Sequence, residues 1–166
     1  QHFRKVKIPP ESPRGGLLTQ GSILKITANG TVTSPVMRGN FVLTNLLGTP
    51  PDPPPPTAGT VEPDTRGKTT IREILAAHRD EETCNRCHRE IDPPGFALES
   101  FDPIGGFRTR YRSTPPNGGV FSKIFSGKGP RVDASGVTAG GKAFSGIAEY
   151  KELLLEREDQ VARHLV

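Results

Sequence analysis

The chain holds two cysteines, and both fall in the run Cys84-Asn85-Arg86-Cys87-His88. Two thiols three residues apart can each add to one vinyl group of a single haem, and a histidine directly after the second is then delivered to the iron. The chemistry this spacing points to is thioether attachment of one haem c, with His88 as the proximal ligand. Three other uses of the same residues compete with it. A thioredoxin-like dithiol needs a strand-helix-strand setting, whereas a helical run precedes these residues and Pro93-Pro94-Gly95 follows them. Zinc could draw on Cys84, Cys87, His88 and His78, but adjacent Cys87 and His88 do not easily reach one tetrahedral ion. A disulfide across the short loop is the plainest alternative. With no further cysteine in the chain, there is no disulfide framework to build.

The elements that must position this motif can be read on both sides of it. Thr70-Ile71-Arg72-Glu73 has the form of a capping box, and it opens a helix on which Ile71, Ile74, Leu75 and His78 share a face. His78 therefore points with the aliphatic residues and is the candidate for the sixth iron position. Met37, the one methionine of the chain, is the alternative, and a thioether there would give a higher potential than imidazole. Ser34 as N-cap, Pro35 at the first helical position, and Gly48 ahead of Pro50 and Pro51 bound a helix over 34–48. Its phase would place Val36, Leu43 and Leu47 on one stripe and Met37 with Phe41 on the next. A weaker pattern predicts a helix over 17–27, closed by Asn29-Gly30. From Pro50 to Pro56 every residue but Asp52 is proline, which makes an extended strap whose prolines cannot donate backbone hydrogen bonds.

Beyond the motif, Asp92 and Pro93 read as N-cap and first position of a new short helix through Leu98, broken by Asp102-Pro103-Ile104-Gly105-Gly106. The other ring nitrogen of His88 is expected to donate to a backbone carbonyl near Pro93 or Pro94. Residues 107–112 alternate as a strand with Arg108, Arg110 and Arg112 on one side, and Arg108 is a candidate to bind a haem propionate bidentately. Asp92, Glu99 and Asp102 could form a calcium site, although helix caps and solvated carboxylates account for them more simply. Residues 113–146 are loop-rich and support short hairpins at most. The closing pattern, with Ile147, Tyr150, Leu154, Val161 and Leu165 on one face, predicts one packing helix from 147 to the end, and His164 there reads as a surface residue.

Composition bounds what surrounds the motif. Hydrophobic residues are 33% of 166, tryptophan is absent, and 19 glycines with 17 prolines leave little for a large core. A buried porphyrin would add the apolar surface that is missing. The net charge of +4 is mild and its basic residues are dispersed, which argues against nucleic acid as a partner. No apolar run reaches about 18 residues, so no transmembrane segment is expected. The first ten residues contain no signal-peptide core, and the last helical pattern meets Val166 without a stop signal. Because thioether attachment normally follows export, the expectation is a piece of a longer exported protein, periplasmic or cell-envelope in location. The predicted fold class is mainly α with long irregular loops and short β-hairpins. One domain over 1–166 would comprise N-terminal helices and proline strap (1–66), a haem-binding core (67–112), and a loop-rich segment with a C-terminal helix (113–166).

Four segments, 13–22 (PRGGLLTQGS), 33–43 (TSPVMRGNFVL), 47–56 (LGTPPDPPPP) and 78–108 around the cysteines, make the chain resemble the planctomycete-type cytochrome c families. The resemblance implies a cytochrome c-like single-haem domain from the C-terminal part of a large exported multidomain protein of unknown function. Its partners would be redox proteins and the other domains of that precursor. A single haem without a second catalytic constellation points to electron transfer. The competing expectations are a peroxidase-like or small-ligand-binding domain with an open sixth site, and a module in which haem is structural.

Overall fold

The computed structural model describes residues 2–54, 70–79, 82–113 and 127–165. A single 3-10 turn at Leu17–Thr19 leads into α1 (Gly21–Ile26), so the helix expected over 17–27 is present in two short pieces. Ser34 caps α2 (Pro35–Phe41) by accepting from the Met37 amide, with Pro35 at its first position. The helix continues as a π turn over Val42–Leu46. It stops where expected: Gly48 adopts φ 62, which only glycine takes without strain, and the Thr49 amide returns to the Leu43 carbonyl.

The stripe expected on α2 is present, with Leu43 and Leu47 in the core and Val36 packed against it, but the inward face is wider. Its inward residues are Pro35, Arg38, Gly39, Val42, Leu43, Leu46 and Leu47, while Val36 is half-buried and Met37 is exposed. A hydrophobicity reading cannot find a stripe in which arginine and glycine hold two inward places. The capping box at Thr70 is present in both directions, opening α3 (Ile71–His78). Residues 50–54 of the strap carry no helix, strand or turn, and the rest of the strap lies outside the described residues.

A second correction concerns Asp92. Instead of ending before it, α4 runs unbroken over Glu82–Ala97 with Pro93 and Pro94 inside. An N-cap at Asp92 would have only the Gly95 amide to accept from, because Pro94 has none. The two prolines remove the helical donors to the carbonyls of Arg89 and Glu90. Burial compensates, since every residue from Ile91 to Glu99 is buried.

That buried segment lies between two apolar clusters. On one side Ile91, Ala97 and Leu98 join Leu24, Val42, Leu43, Leu46 and Leu47, with Phe144, Ile147, Tyr150 and Leu154 from the C-terminal part. On the other, Phe96 packs with Ile71 and Leu75 of α3 and with Tyr111, and the Arg72 guanidinium sits 3.9 Å over the Phe96 ring. The α2–α4 contact is close because each helix offers a glycine. A Cβ on Gly39 would enter the Ile91 carbonyl, and one on Gly95 would enter that of Pro35.

After α4 the 102–106 turn is held by Asp102 Oδ1, which accepts from the amides of Ile104 (3.0 Å) and Gly106 (2.7 Å). Strand β1 (Arg110–Ser113) pairs antiparallel with β2 (Gly127–Arg131), and β3 (Gly136–Val137) with β4 (Ala143–Phe144). The fold is thus mainly α with short strand pairs, as expected. The single C-terminal helix is not: α5 (Ile147–Leu155) ends at Glu156 and α6 (Glu158–His164) follows, with no fully buried residue. Ile147, Tyr150 and Leu154 are buried, but positions 157 and 158, where the stripe would continue, are arginine and glutamate. No apolar side chain is there to hold the helix to the core.

Gly39→Ala and Gly95→Ala each set a methyl group against backbone that cannot rotate away. Each is expected to cost about 3 kcal/mol, the upper part of the usual overpacking range. Gly21→Ala, where nothing lies within 4 Å, should stay within about 0.5 kcal/mol of the parent. Denaturant unfolding of the three variants checks the contrast.

Candidate functional site

Because Cys84, Cys87 and His88 occupy one continuous helix, their spacing becomes an angle. At 3.6 residues per turn they lie within about 100° of arc on α4. The cysteines are half-buried, and Cys87 packs against the larger apolar cluster. The proline strap passes near this turn, with Asp52 Oδ2 3.6 Å from Arg86 Nη2. Both side chains are exposed there, so the pair adds little stability.

One turn further along, His88 Nδ1 lies 2.9 Å from Asp92 Oδ1. Opposite a carboxylate oxygen, Nδ1 is the donor, which assigns the ring lone pair to Nε2. The partner is a side-chain carboxylate, where a backbone carbonyl near Pro93 or Pro94 was expected. Asp92 is fully buried, the His88 side chain is 13% exposed, and Arg79 Nε stands 3.7 Å from Asp92 Oδ2. That Oδ2 atom accepts no hydrogen bond. Arg79 directly follows α3, so α3 delivers a cation to the carboxylate that orients His88.

The residues on this helix fit a covalent haem. Both thiols and the imidazole share one face, Nε2 is the ring nitrogen that would bind a metal, and a buried carboxylate stands behind the ring where positive charge would be favourable. Of the two candidates for the sixth position, His78 is the last residue of α3, and its side chain lies outside the described residues. Met37 is on α2, 46% exposed. Among the described residues no three His, Cys, Asp or Glu side chains form a group that could hold a metal ion. Asp92, Glu99 and Asp102 are instead engaged separately. A cleft of about 500 Å³ opens where Glu90 and Pro94 of α4 face Leu43, Leu47, Tyr150 and Leu153, and neither cysteine nor His88 lines it.

Arg108 enters a different constellation. Its Nε donates to the Glu99 carbonyl (2.9 Å), and its Nη2 to Glu99 Oε2 (3.0 Å) and Thr33 Oγ1 (2.8 Å). Tyr111 OH donates to the same Oε2 at 3.1 Å, and the Arg108 guanidinium covers the Tyr111 ring at 4.6 Å. Arg38 completes the network, with Nη1 3.3 Å from Glu99 Oε1 and bonded to the carbonyls of Leu98 (2.7 Å) and Phe101 (2.8 Å). Arg110 instead donates to the Gly129 carbonyl on the neighbouring strand.

Arg38 and Glu99 are both fully buried; Arg38 did not stand out in the sequence, and Glu99 did so only as a possible calcium ligand. The signal available was positional: extending the stripe of Val42 and Leu46 back by one turn reaches Arg38, an inward charge that requires a partner. Burial pushes the Arg38 guanidinium down to about 10, with Glu99 opposing the shift. Burial first, and the Glu99 charge second, push the Tyr111 phenol above its ordinary value. Burial alone raises Tyr150.

A family model described as "PSCyt3: Protein of unknown function (DUF1588)" matches residues 14–111. That stretch contains the cysteine motif, Asp92, and the whole Arg38–Glu99–Arg108–Tyr111 network. No curated protein and no solved structure matches the chain.

Glu99→Ala removes one partner of a buried ion pair and leaves Arg38 uncompensated. The expected loss is about 3–5 kcal/mol in denaturant unfolding. The two tyrosines of the chain give a second check. With both phenols raised in the folded state, the unfolded chain releases protons first, so their contribution to stability falls as pH rises above about 10. A tyrosinate difference titration should show neither tyrosine ionising in the folded protein near that pH, with both appearing together on alkaline unfolding.

Proposed function

Taking as premise that the chain belongs to the PSCyt3 family, whose name is that of the planctomycete-type cytochromes c, we propose that it is a c-type cytochrome domain. It carries one covalent haem and transfers electrons. The observation that carries this reading is Cys84, Cys87 and His88 on one face of α4, with His88 Nδ1 held by buried Asp92.

In this reading Cys84 and Cys87 form the two thioethers and His88 supplies Nε2 as the proximal ligand. Haem, when bound, provides the one-electron couple. The chain itself does three things. It holds the axial imidazole in one tautomer and orientation, it keeps the carboxylate behind that imidazole out of water, and it anchors the ligand-bearing helix through its buried half. None of these requires a proton to move during electron transfer. We assign the sixth position to His78 ahead of Met37, because Arg79 brings the end of α3 to Asp92 whereas Met37 faces solvent to 46%. Arg108 is proposed as a propionate contact only through the part of its guanidinium that Glu99 and Thr33 do not engage.

Thioether formation places the domain outside the cytoplasm, in the periplasm or cell envelope, as part of a longer exported protein with redox proteins for partners. The protein made with a haem-attachment system should have the mass of the polypeptide plus one haem. Its haem should resist extraction by acidified organic solvent, and Cys84→Ala or Cys87→Ala should lower the yield of haem-bearing protein. A mass equal to the bare polypeptide rejects the reading. His78→Ala should open the sixth position to carbon monoxide while Met37→Leu leaves the visible spectrum unchanged. The opposite pair of results transfers the assignment to Met37.

A further inference from the structure

We propose that Asp92 is a positioning residue that sets the redox poise of the site, acting through His88 to favour ferric over ferrous iron. The inference rests on the haem reading above and extends it to what tunes the group.

The argument begins with the cost of the carboxylate. Asp92 is 0% exposed, and a buried carboxylate is tolerated only when paired and hydrogen-bonded. Its hydrogen bond is to His88 Nδ1 at 2.9 Å, its other oxygen accepts none, and the neighbouring cation is Arg79 at 3.7 Å, itself 29% exposed. A neutral imidazole compensates a buried negative charge poorly. An imidazole that donates its Nε2 lone pair to a cationic metal compensates it well, because the ring then carries positive charge towards the carboxylate.

The ordinary helical uses of aspartate do not account for the residue. It cannot cap a helix start, because α4 continues through it, and the i, i+4 spacing from His88 is what brings the two side chains together. The hydrogen bond is charge-assisted, which makes it stronger than one to a backbone carbonyl. Partial withdrawal of the Nδ1 proton puts more electron density on the ring, and more donation to iron stabilises the higher oxidation state. Arg79 works against this by drawing charge from the far carboxylate oxygen. The two residues therefore form a graded pair, and their removal should move the equilibrium in opposite directions. The half-reaction is the gain of one electron by ferric iron to give ferrous iron, without proton transfer.

The test is the midpoint potential of the haem-bearing protein, by spectroelectrochemistry, for the parent, Asp92→Asn, Asp92→Glu and Arg79→Gln, with covalent attachment verified by mass in each. The Asp92→Asn side chain keeps the shape and one oxygen acceptor, removes the charge, and turns the other oxygen into an amide nitrogen. It should shift the equilibrium at least tenfold toward ferrous iron, a rise of about 59 mV for a one-electron couple. Asp92→Glu should remain nearer the parent, and Arg79→Gln should shift the potential downward. If Asp92→Asn does not accumulate with haem, Arg79→Gln decides, since it sits on a partly exposed side chain. Haem-bearing variants with the parent potential, or shifts of the same sign for Asp92→Asn and Arg79→Gln, overturn the inference alone. A parent protein without covalent haem overturns it together with the cytochrome reading.

Discussion

The buried ion pair between Arg38 and Glu99 sets the frame in which everything else is placed. Neither group is accessible to water, so each is acceptable in the interior only while the other is present. Arg38 also takes the carbonyls of Leu98 and Phe101, in the turn that follows the end of α4 at Ala97. One side chain thus holds that turn and neutralises the charge within it. Thr33, Arg108 and Tyr111 fill the remaining positions on the carboxylate, joining the approach to α2, the end of α4 and β1. With the C-terminal end of α4 clamped, and Gly39 and Gly95 allowing α2 to lie directly on it, the rotation of α4 about its axis is determined. That rotation turns Ile91 and Leu98 into the larger cluster and buries Asp92, which the i, i+4 spacing sets beside His88.

The chemistry-bearing end of α4 is less enclosed than the clamped end. Residues 84–90 are exposed or half-buried, against the continuous burial of 91–99. This gradient suits a helix that is anchored by protein at one end and presents thiols and an imidazole at the other. Asp92 sits at the junction. It belongs to the buried half by its surroundings and to the cysteine motif by its hydrogen bond, so it links the protein interior to His88. In the proposed cytochrome reading, that carboxylate would act electrostatically on the bound group as a backbone carbonyl would not, with Arg79 moderating it.

Much of this was legible in the sequence where local chemistry decides the outcome. The Thr70–Glu73 capping box, the Ser34-Pro35 start and the Gly48 stop depend on residues within a turn of each other, and all three are present. The cysteine motif needs no tertiary information either. Tertiary burial overrode the local signals in the other cases. Asp92 and Pro93 read as a helix start, yet burial of the whole segment carries α4 through them. The inward face of α2 was read too narrowly because Arg38 and Gly39 hold places on it that hydrophobicity does not mark. Arg38 is inward only because Glu99, 61 positions later, meets it there, and no pattern within α2 records that. The C-terminal helix failed for the opposite reason: its apolar stripe lapses at 157 and 158, a gap visible in the sequence once the stripe is followed residue by residue.

The central claim is that this helix carries a covalent haem able to exchange one electron, and the visible spectrum of the purified protein in its oxidised and reduced forms tests it most directly. The account predicts a Soret band in the oxidised protein and, on reduction, the sharp α and β bands of a c-type haem, with the change reversing on reoxidation. A protein from a host competent in haem attachment that shows no visible absorption, or whose chromophore does not respond to reductant, would contradict it.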